Sequence, residues 1–427
     1  MTAGVDPMTA QQPTVVVRMA DAGDVYMSWR WTGDTAPRGA AMLPGEPVLE
    51  AVHRLAAALP NPAEPGGVER AMTTGAFADY DAEYLVAQAL SRALLPQALA
   101  AQLYELYQRG VRPHLRLQPS PRVAQVPWEL IAPGPEVRLI DIADVSLLAP
   151  ASIAHAPGRP ARTWADANGA PIVAVLDPRI PGFRADSLLG SVLGRMTADA
   201  PLAQRIADYA AHDRLCPAVA DPTEVFRRTD VDREWLSAAL RAGASRLVYV
   251  GHVTAAAPES GQSEAAELHL ACTADTLGFA APTRAHRPLS AKDFLLGTHT
   301  LTVEPTAGHD LWPIPSRVAL IACESGGDLR FTEALGLTAA MISGGAELVT
   351  ASRWPLPTDL AFHRIAGAPP EATPLQQAIC AIDAAHEQPD PVAALAEWQR
   401  KQLSAWRTER TIEHSPLLWS AFATFQV

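Results

Sequence analysis

The sequence predicts an α/β fold: a mostly parallel sheet flanked by helices, preceded by an N-terminal accessory α+β region. Short apolar runs at 171–177 (PIVAVLD), 246–250 (RLVYV), 317–322 (RVALIA) and 347–352 (ELVTAS) read as strands buried on both faces. Helical patterns separate them, and glycine and proline punctuate their ends, the alternation expected of crossover-connected parallel strands.

Along the chain, TVVVRM at 14–19 is the first strand, followed by Pro/Gly-rich stretches at 37–47 and 60–67. A helical pattern runs from Tyr80 to Arg109, with Leu85, Leu90, Leu94, Leu103 and Leu106 near a 3.6 period. Pro96 divides it in two. From Pro113 the strand HLRLQP appears, then VPWELI, then further strand signal in VRLIDIADVSLLAP, ending at a linker over 150–171. Residues 1–110 are therefore expected as an accessory region and 111–427 as the main domain. Beyond the linker the reading gives a helix over 188–211, a strand over 223–229 and a helix over 232–242. A short strand at ELHLACT and a helix capped by Ser290 come next. A Gly/Pro-rich loop over 297–315 precedes the RVALIA strand. FTEALGLTAAMIS is expected to be one buried helix closed by Gly344 and Gly345. Two amphipathic helices, 374–386 and 391–407, and the apolar SPLLWSAFATF end the chain.

Composition excludes several classes. With 48% hydrophobic and 19% charged residues the 427-residue chain is globular, and its net charge of −12 argues against a nucleic-acid partner. Arginine supplies nearly all the positive charge, Lys292 and Lys401 being the only lysines. No apolar window reaches a membrane span and the N-terminus carries no basic-then-apolar leader, so a cytoplasmic protein without a membrane partner is expected. The four cysteines (Cys216, Cys272, Cys323, Cys380) form no CxxC pair, so neither a disulfide framework nor a zinc site is expected. His212 and Cys216 share a helical face but lack two further ligands. There is no GxxxxGK[ST], HExxH or GxSxG motif. No cofactor or metal is expected.

The chemistry concentrates on two strand ends. His252 and Cys323 each follow an apolar run, each lies near glycine, and their separation of 71 positions accommodates one crossover to a neighbouring parallel strand. In open α/β sheets ligands collect at the carboxyl ends of strands. A thiol is mostly neutral at pH 7 and needs a base to act as a nucleophile, a task a histidine can perform. The amides of Val253 and Cys323 are the candidate oxyanion donors, supported by the small ESGG segment. A buried packing cysteine and histidine is the competing reading of the same pair.

VYVGH at 248–252, ALIACESGG at 319–327, EALGLTAAMISGGAELVTASRWPLPTD at 333–359 and SPLLWSAFATF, with VPWELI at 126–131, resemble the CHAT family of caspase-like proteins over roughly 110–427. The resemblance implies a caspase-like fold and cysteine endopeptidase activity, with Cys323 as nucleophile and His252 as proton carrier. It also implies a protein substrate and a role in bacterial signalling, defence or regulated cell death, with any sensor a separate regulatory protein or the N-terminal region. The family's Gly-His-Gly is here Gly251-His252-Val253, and the loop over 297–315 is longer than the family's link. Substrate contacts are expected near the strand after the nucleophile, from Glu324, Asp328, Ser352, Arg353, Trp354 and Asp359: Arg353 would favour an acidic side chain, Asp328 or Asp359 a basic one. A catalytically silent CHAT module acting as a protein-interaction scaffold is the alternative, and a plain α/β small-molecule domain a third.

Overall fold

A computed structural model describes residues 12–33 and 36–427. Its strands are β1 (Thr14–Ala22), β2 (Asp24–Trp31), β3 (Arg38–Leu43), β4 (His114–Gln118), β5 (Asp144–Leu148), β6 (Ile172–Leu176), β7 (Leu215–Cys216), β8 (Arg246–Val250), β9 (Val253–Thr254), β10 (Glu267–Leu268), β11 (Leu289–Ser290), β12 (Arg317–Ile321), β13 (Leu348–Ser352) and β14 (Phe422–Gln426). Eleven of them form one sheet in the order β3-β2-β1-β4-β5-β14-β13-β12-β8-β6-β7, and β11-β10-β9 form a small antiparallel sheet beside it. Pairing is parallel except at β3/β2, β2/β1 and β14/β13. Two parallel blocks, β1-β4-β5-β14 and β13-β12-β8-β6-β7, therefore run in opposite directions and meet at the β13/β14 seam, with β2 and β3 as an antiparallel extension of the first.

β6, β8, β12 and β13 are buried at every residue, which is why they read as continuous apolar runs rather than alternating ones. β1 and β2 alternate buried and exposed, so one face of the N-terminal extension meets solvent. Residues 14–43 thus prolong the main sheet through β1/β4 pairing rather than stacking on it as a layer. The long helical pattern is broken as its proline requires, into Tyr80–Leu94 and Gln97–Gln108.

Four expected elements differ. The helix expected over 188–211 spans only Pro201–Ala211, because the Asp177 carboxylate accepts from the amides of Val192 and Leu193 and from the Ser191 hydroxyl, folding 190–194 as a loop. The strand expected over 223–229 is a 3-10 turn, Pro222–Val225, whose first amides Asp221 caps, with one bridge from Phe226 to Leu176. Leu139–Ile142, expected as strand, is a helical turn in which the Asp141 side chain closes back on the Arg138 amide. Residues 331–336 do not join the helix Leu337–Ser343, since the Asp328 carboxylate takes the amides of Thr338 and Ala339 and starts the helix there.

Buried ion pairs join distant segments. Arg353, at the end of β13, donates to the carbonyls of Ser420 (2.9 Å) and Phe422 (2.8 Å) and to Glu129 (2.9 Å), with both side chains almost wholly buried. The Pro-Trp-Glu and Ser-Arg-Trp blocks, 224 residues apart, are thus one internal contact that ties the β13/β14 seam to the Trp128–Leu130 turn. Arg138 and Glu83 form a second pair with no exposure at all, and Trp406 donates to the same carboxylate. Removing one partner of such a pair strands the other as a buried charge. Glu129→Ala should lower stability by about 3–5 kcal/mol, read as a fall in the urea unfolding midpoint; a midpoint equal to that of the parent chain would refute the structural role of the pair.

Candidate active site

β8 and β12 are parallel neighbours in the register Arg246↔Arg317 through Val250↔Ile321. His252 and Cys323 each lie two residues past the last pair, so they are level at the carboxyl edge. The Gly251 amide donates to the Ile321 carbonyl at 3.3 Å, carrying the ladder one bond beyond the strands. Neighbouring strands are about 4.8 Å apart.

Gly251 is dictated by packing. A Cβ there would meet the Tyr249 hydroxyl at 2.7 Å, and that hydroxyl donates to the carbonyls of His252 (2.7 Å) and His269 (2.8 Å). The ring of Tyr249 thereby passes beneath the glycine and fixes the His252 backbone. The His269 amide also donates to the His252 carbonyl, at 3.1 Å.

The His252 Nε2 lies 3.1 Å from the Gly190 carbonyl. A carbonyl only accepts, so the proton sits on Nε2 and Nδ1 is left as the basic nitrogen. Burial lowers the His252 pKa below its ordinary value, with the Gly190 bond and the charge of Asp177 acting the other way and Arg227 reinforcing the fall. The Gly190 carbonyl is itself held by Arg227 (3.0 Å), and Arg227 pairs with Asp177 at 3.3 Å. Asp177, Gly190 and Arg227 are therefore the orienting set of His252, and sequence reasoning did not single them out. Asp177 ends a third strand, β6, at the same sheet edge, so the strand-end rule that found His252 and Cys323 applied to it as well.

Cys323 opens the loop after β12. Burial pushes its thiol above the ordinary value, the Leu356 amide pulls it down and the Glu324 carboxylate raises it further. Glu324 is in the left-handed region at φ 50°, turning the chain sharply after the cysteine. The Ala322 carbonyl accepts from the Ser352 hydroxyl and the Ser325 amide, and the Glu324 amide donates to the Trp354 carbonyl, so Cys323 occupies the first corner of a turn over 322–325. In the β9/β10 pairing the bond at His252 and His269 makes the next pair, Val253 and Leu268, non-hydrogen-bonded, so the Val253 amide points away from β10. Val253 is in extended backbone, which a β-branched side chain favours. The amides of Ser325 and Gly326 bond Ser352, and that of Gly327 bonds the Glu324 carbonyl, so the ESGG amides are engaged in holding the loop.

Of the other expected substrate contacts, five are directed inward. Asp328 starts the helix Leu337–Ser343, and Asp359 accepts from the Leu375 amide and Gln376. Ser352 holds the Cys323 loop, Arg353 pairs with Glu129, and Trp354 is fully buried with its indole donating to the Leu417 carbonyl. Neither charge expected to select the substrate, on Arg353 or on the two aspartates, is offered to the cleft. Glu324 alone is part-exposed beside the cysteine; it pairs with Arg330 at 3.3 Å and lines a narrow pocket with Ala255, Ala256, Ser263 and Phe331. The loop over 297–315 packs on the flanking helices: the Trp312 indole donates to the Arg233 carbonyl and the Ile314 amide to the Gly344 carbonyl. Among the described residues no cluster of three metal-ligating side chains occurs, and no helix is long and apolar enough to cross a membrane.

The sequence matches the family model of the CHAT domain over residues 85–426. Two solved structures of the Saccharomyces cerevisiae separase–securin complex, at 3.0 and 2.6 Å, are similar to the chain with TM-scores of 0.44 and 0.43 and 10% identity. The alignments cover 97% of this chain and 30% of the other, so the chain spans under a third of the length of those proteins. No curated protein matches the sequence.

Both groups of the pair are neutral near pH 7, because burial lowers the imidazole and raises the thiol. The rate of Cys323 alkylation by iodoacetamide, followed by peptide mapping, should therefore climb through the alkaline range, above the ordinary thiol pKa of about 8.5. A plateau already reached at pH 7 would show a preformed thiolate and contradict this charge state.

Proposed function

The chain belongs to the CHAT domain family, which is caspase-like, and from that premise we propose that it is a cysteine endopeptidase acting on a specific protein partner. The observation that carries the reading is the level placement of His252 and Cys323 on adjacent parallel strands, with Nε2 of His252 committed to the Gly190 carbonyl.

In the proposed reaction Nδ1 of His252 takes the Cys323 thiol proton as the sulfur attacks the scissile carbonyl, forming the S–C bond. The amides of Val253 and Cys323 donate to the oxyanion of the tetrahedral intermediate. As it collapses the C–N bond breaks, and the imidazolium returns its proton to the leaving amine. A thioester remains, which water hydrolyses with His252 again as base. Since the resting pair is neutral, proton transfer accompanies attack rather than preceding it. Asp177 and Arg227 are positioning residues that act through Gly190. Glu324 with Arg330 is the proposed substrate-facing pair. The reading places the protein in the cytoplasm, in bacterial signalling, defence or regulated cell death.

A catalytically silent scaffold is the second reading, and the burial of the Cys323 thiol, which favours its neutral form, supports it. Incubating the protein with a native cell lysate and mapping new protein N-termini by mass spectrometry separates the two. Cleavage sites should appear with the parent chain and fall by about a thousandfold or more in rate with Cys323→Ala and with His252→Ala. Identical maps from the parent and Cys323→Ala would sink the peptidase reading.

A further inference from the structure

β3 is the last strand of the sheet at one end, and its outer edge is open. Trp31 donates to the Pro37 carbonyl at 3.0 Å, which fixes the alternation of the β2/β3 ladder. Gly39, Ala41 and Leu43 therefore bond β2, and the amides and carbonyls of Arg38, Ala40 and Met42 point outward. From Gly39 to Leu43 the strand has no charge, proline or bulge of the kind that blunts a free edge. At the other end of the sheet β7 has only two residues.

The same hairpin bears an unusual concentration of arginine. Cross-strand register places Arg116, Val16, Arg30 and Arg38 in one row, and Gln118, Arg18, Ser28 and Ala40 in the next, on the face that meets solvent. Arg18, Arg30 and Arg38 are exposed, and among the described residues none of the three has an ion-pair partner. Neither row holds a carboxylate. Arg30 and Arg38 are directly opposite one another, an unfavourable like-charge pair in the isolated chain. A chain of net charge −12 has nonetheless gathered these cations on one open surface.

We infer that the β3 edge and its arginine face form a docking site for an acidic extended segment of another polypeptide, which adds as a further strand along β3 with carboxylates over Arg38 and Arg30. Strand addition supplies main-chain affinity and alternate side chains supply specificity, and both elements are present on β3. A nucleic acid would answer the arginines but cannot complete the alternating amide and carbonyl pairs of the edge. A second copy of this chain, paired strand to strand, would bring one arginine face beside another. β3 lies seven strand spacings from β12, about 34 Å, so the docked segment does not reach Cys323. The inference does not depend on the proposed peptidase activity.

The test measures anisotropy of a fluorescein-labelled decapeptide of alternating valine and glutamate against the full chain, at low and at physiological salt. Binding is expected, weakened about tenfold or more by Arg38→Glu and, separately, by Ala40→Pro. The proline removes an outward amide and leaves the β2/β3 bonds intact; thermal unfolding verifies that the variant is folded, and Met42→Pro replaces it if it is not. The valine–lysine counterpart is expected not to bind. Absence of binding to the parent chain, or unchanged affinity in a folded proline variant, would overturn the inference. Equal binding of a single-stranded oligonucleotide that survives the proline would reassign the face to nucleic acid. Self-association that the proline abolishes, with no peptide binding, would reassign it to a second copy.

Discussion

The register between β8 and β12 is the constraint on which the candidate site depends. It is pinned at the amino ends of the strands by Arg246 and Arg317, which are paired residues and both buried. Arg246 donates to the Asp383 carbonyl at 2.7 Å and pairs with its carboxylate, while Arg317 donates to the carbonyls of His386 and Gln388, each at 2.6 Å. All these acceptors lie at the carboxyl end of the helix Pro374–Ala385, where unsatisfied carbonyls concentrate negative potential. The Asp383 carboxylate, despite burial that would raise it, is held below its ordinary pKa by Arg246 and Arg205. Six residues beyond each arginine stand His252 and Cys323. A slip of one residue would reverse the faces of an entire strand and separate the pair.

At the strand tips the side chains are oriented by groups with no chemistry of their own. Asp177 folds the loop that presents the Gly190 carbonyl, and Tyr249 threads under Gly251 to hold the His252 backbone. Ser352, at the end of β13, accepts from the Ser325 amide and donates to the Ala322 carbonyl, fixing the turn after Cys323. Four consecutive strands, β6, β8, β12 and β13, thus each contribute one end residue to a single constellation. Burial is shared by all of it, and burial is also what leaves the imidazole and the thiol neutral. In the proposed reaction, activation would come from proton transfer during attack, which would make the orientation of Nδ1 more important than a standing charge.

The two halves of the sheet differ in how they meet water. The half built on β6, β8, β12 and β13 is covered on both faces, whereas the N-terminal hairpin is covered on one. Polar positions can accumulate only on the open face, and there arginines have accumulated beside an unpaired edge. At the seam between the halves the buried arginine of β13 joins Glu129 to the carbonyls of β14, so blocks that look like separate motifs in sequence are one packing unit.

The sequence by itself determined the class of fold, the parallel strands, the Pro96 break and the Ser290 cap, and it nominated His252 and Cys323 as the candidate pair, because each follows from local periodicity, a cap or a strand end. It placed Arg353, Asp328 and Asp359 near substrate from chain proximity and charge, and there the tertiary structure decided otherwise. A charged side chain beside a buried strand meets whichever uncompensated group lies closest in space: for Arg353 that is Glu129 and two carbonyls, for Asp328 the start of a helix, for Asp359 the Leu375 amide. The helix expected over 188–211 begins only at Pro201 for the same kind of reason, since the competing Asp177 carboxylate follows an earlier strand and is invisible to periodicity. Chain-local preferences are written in sequence; the pairing of buried charges and amides depends on which distant segments the fold brings together.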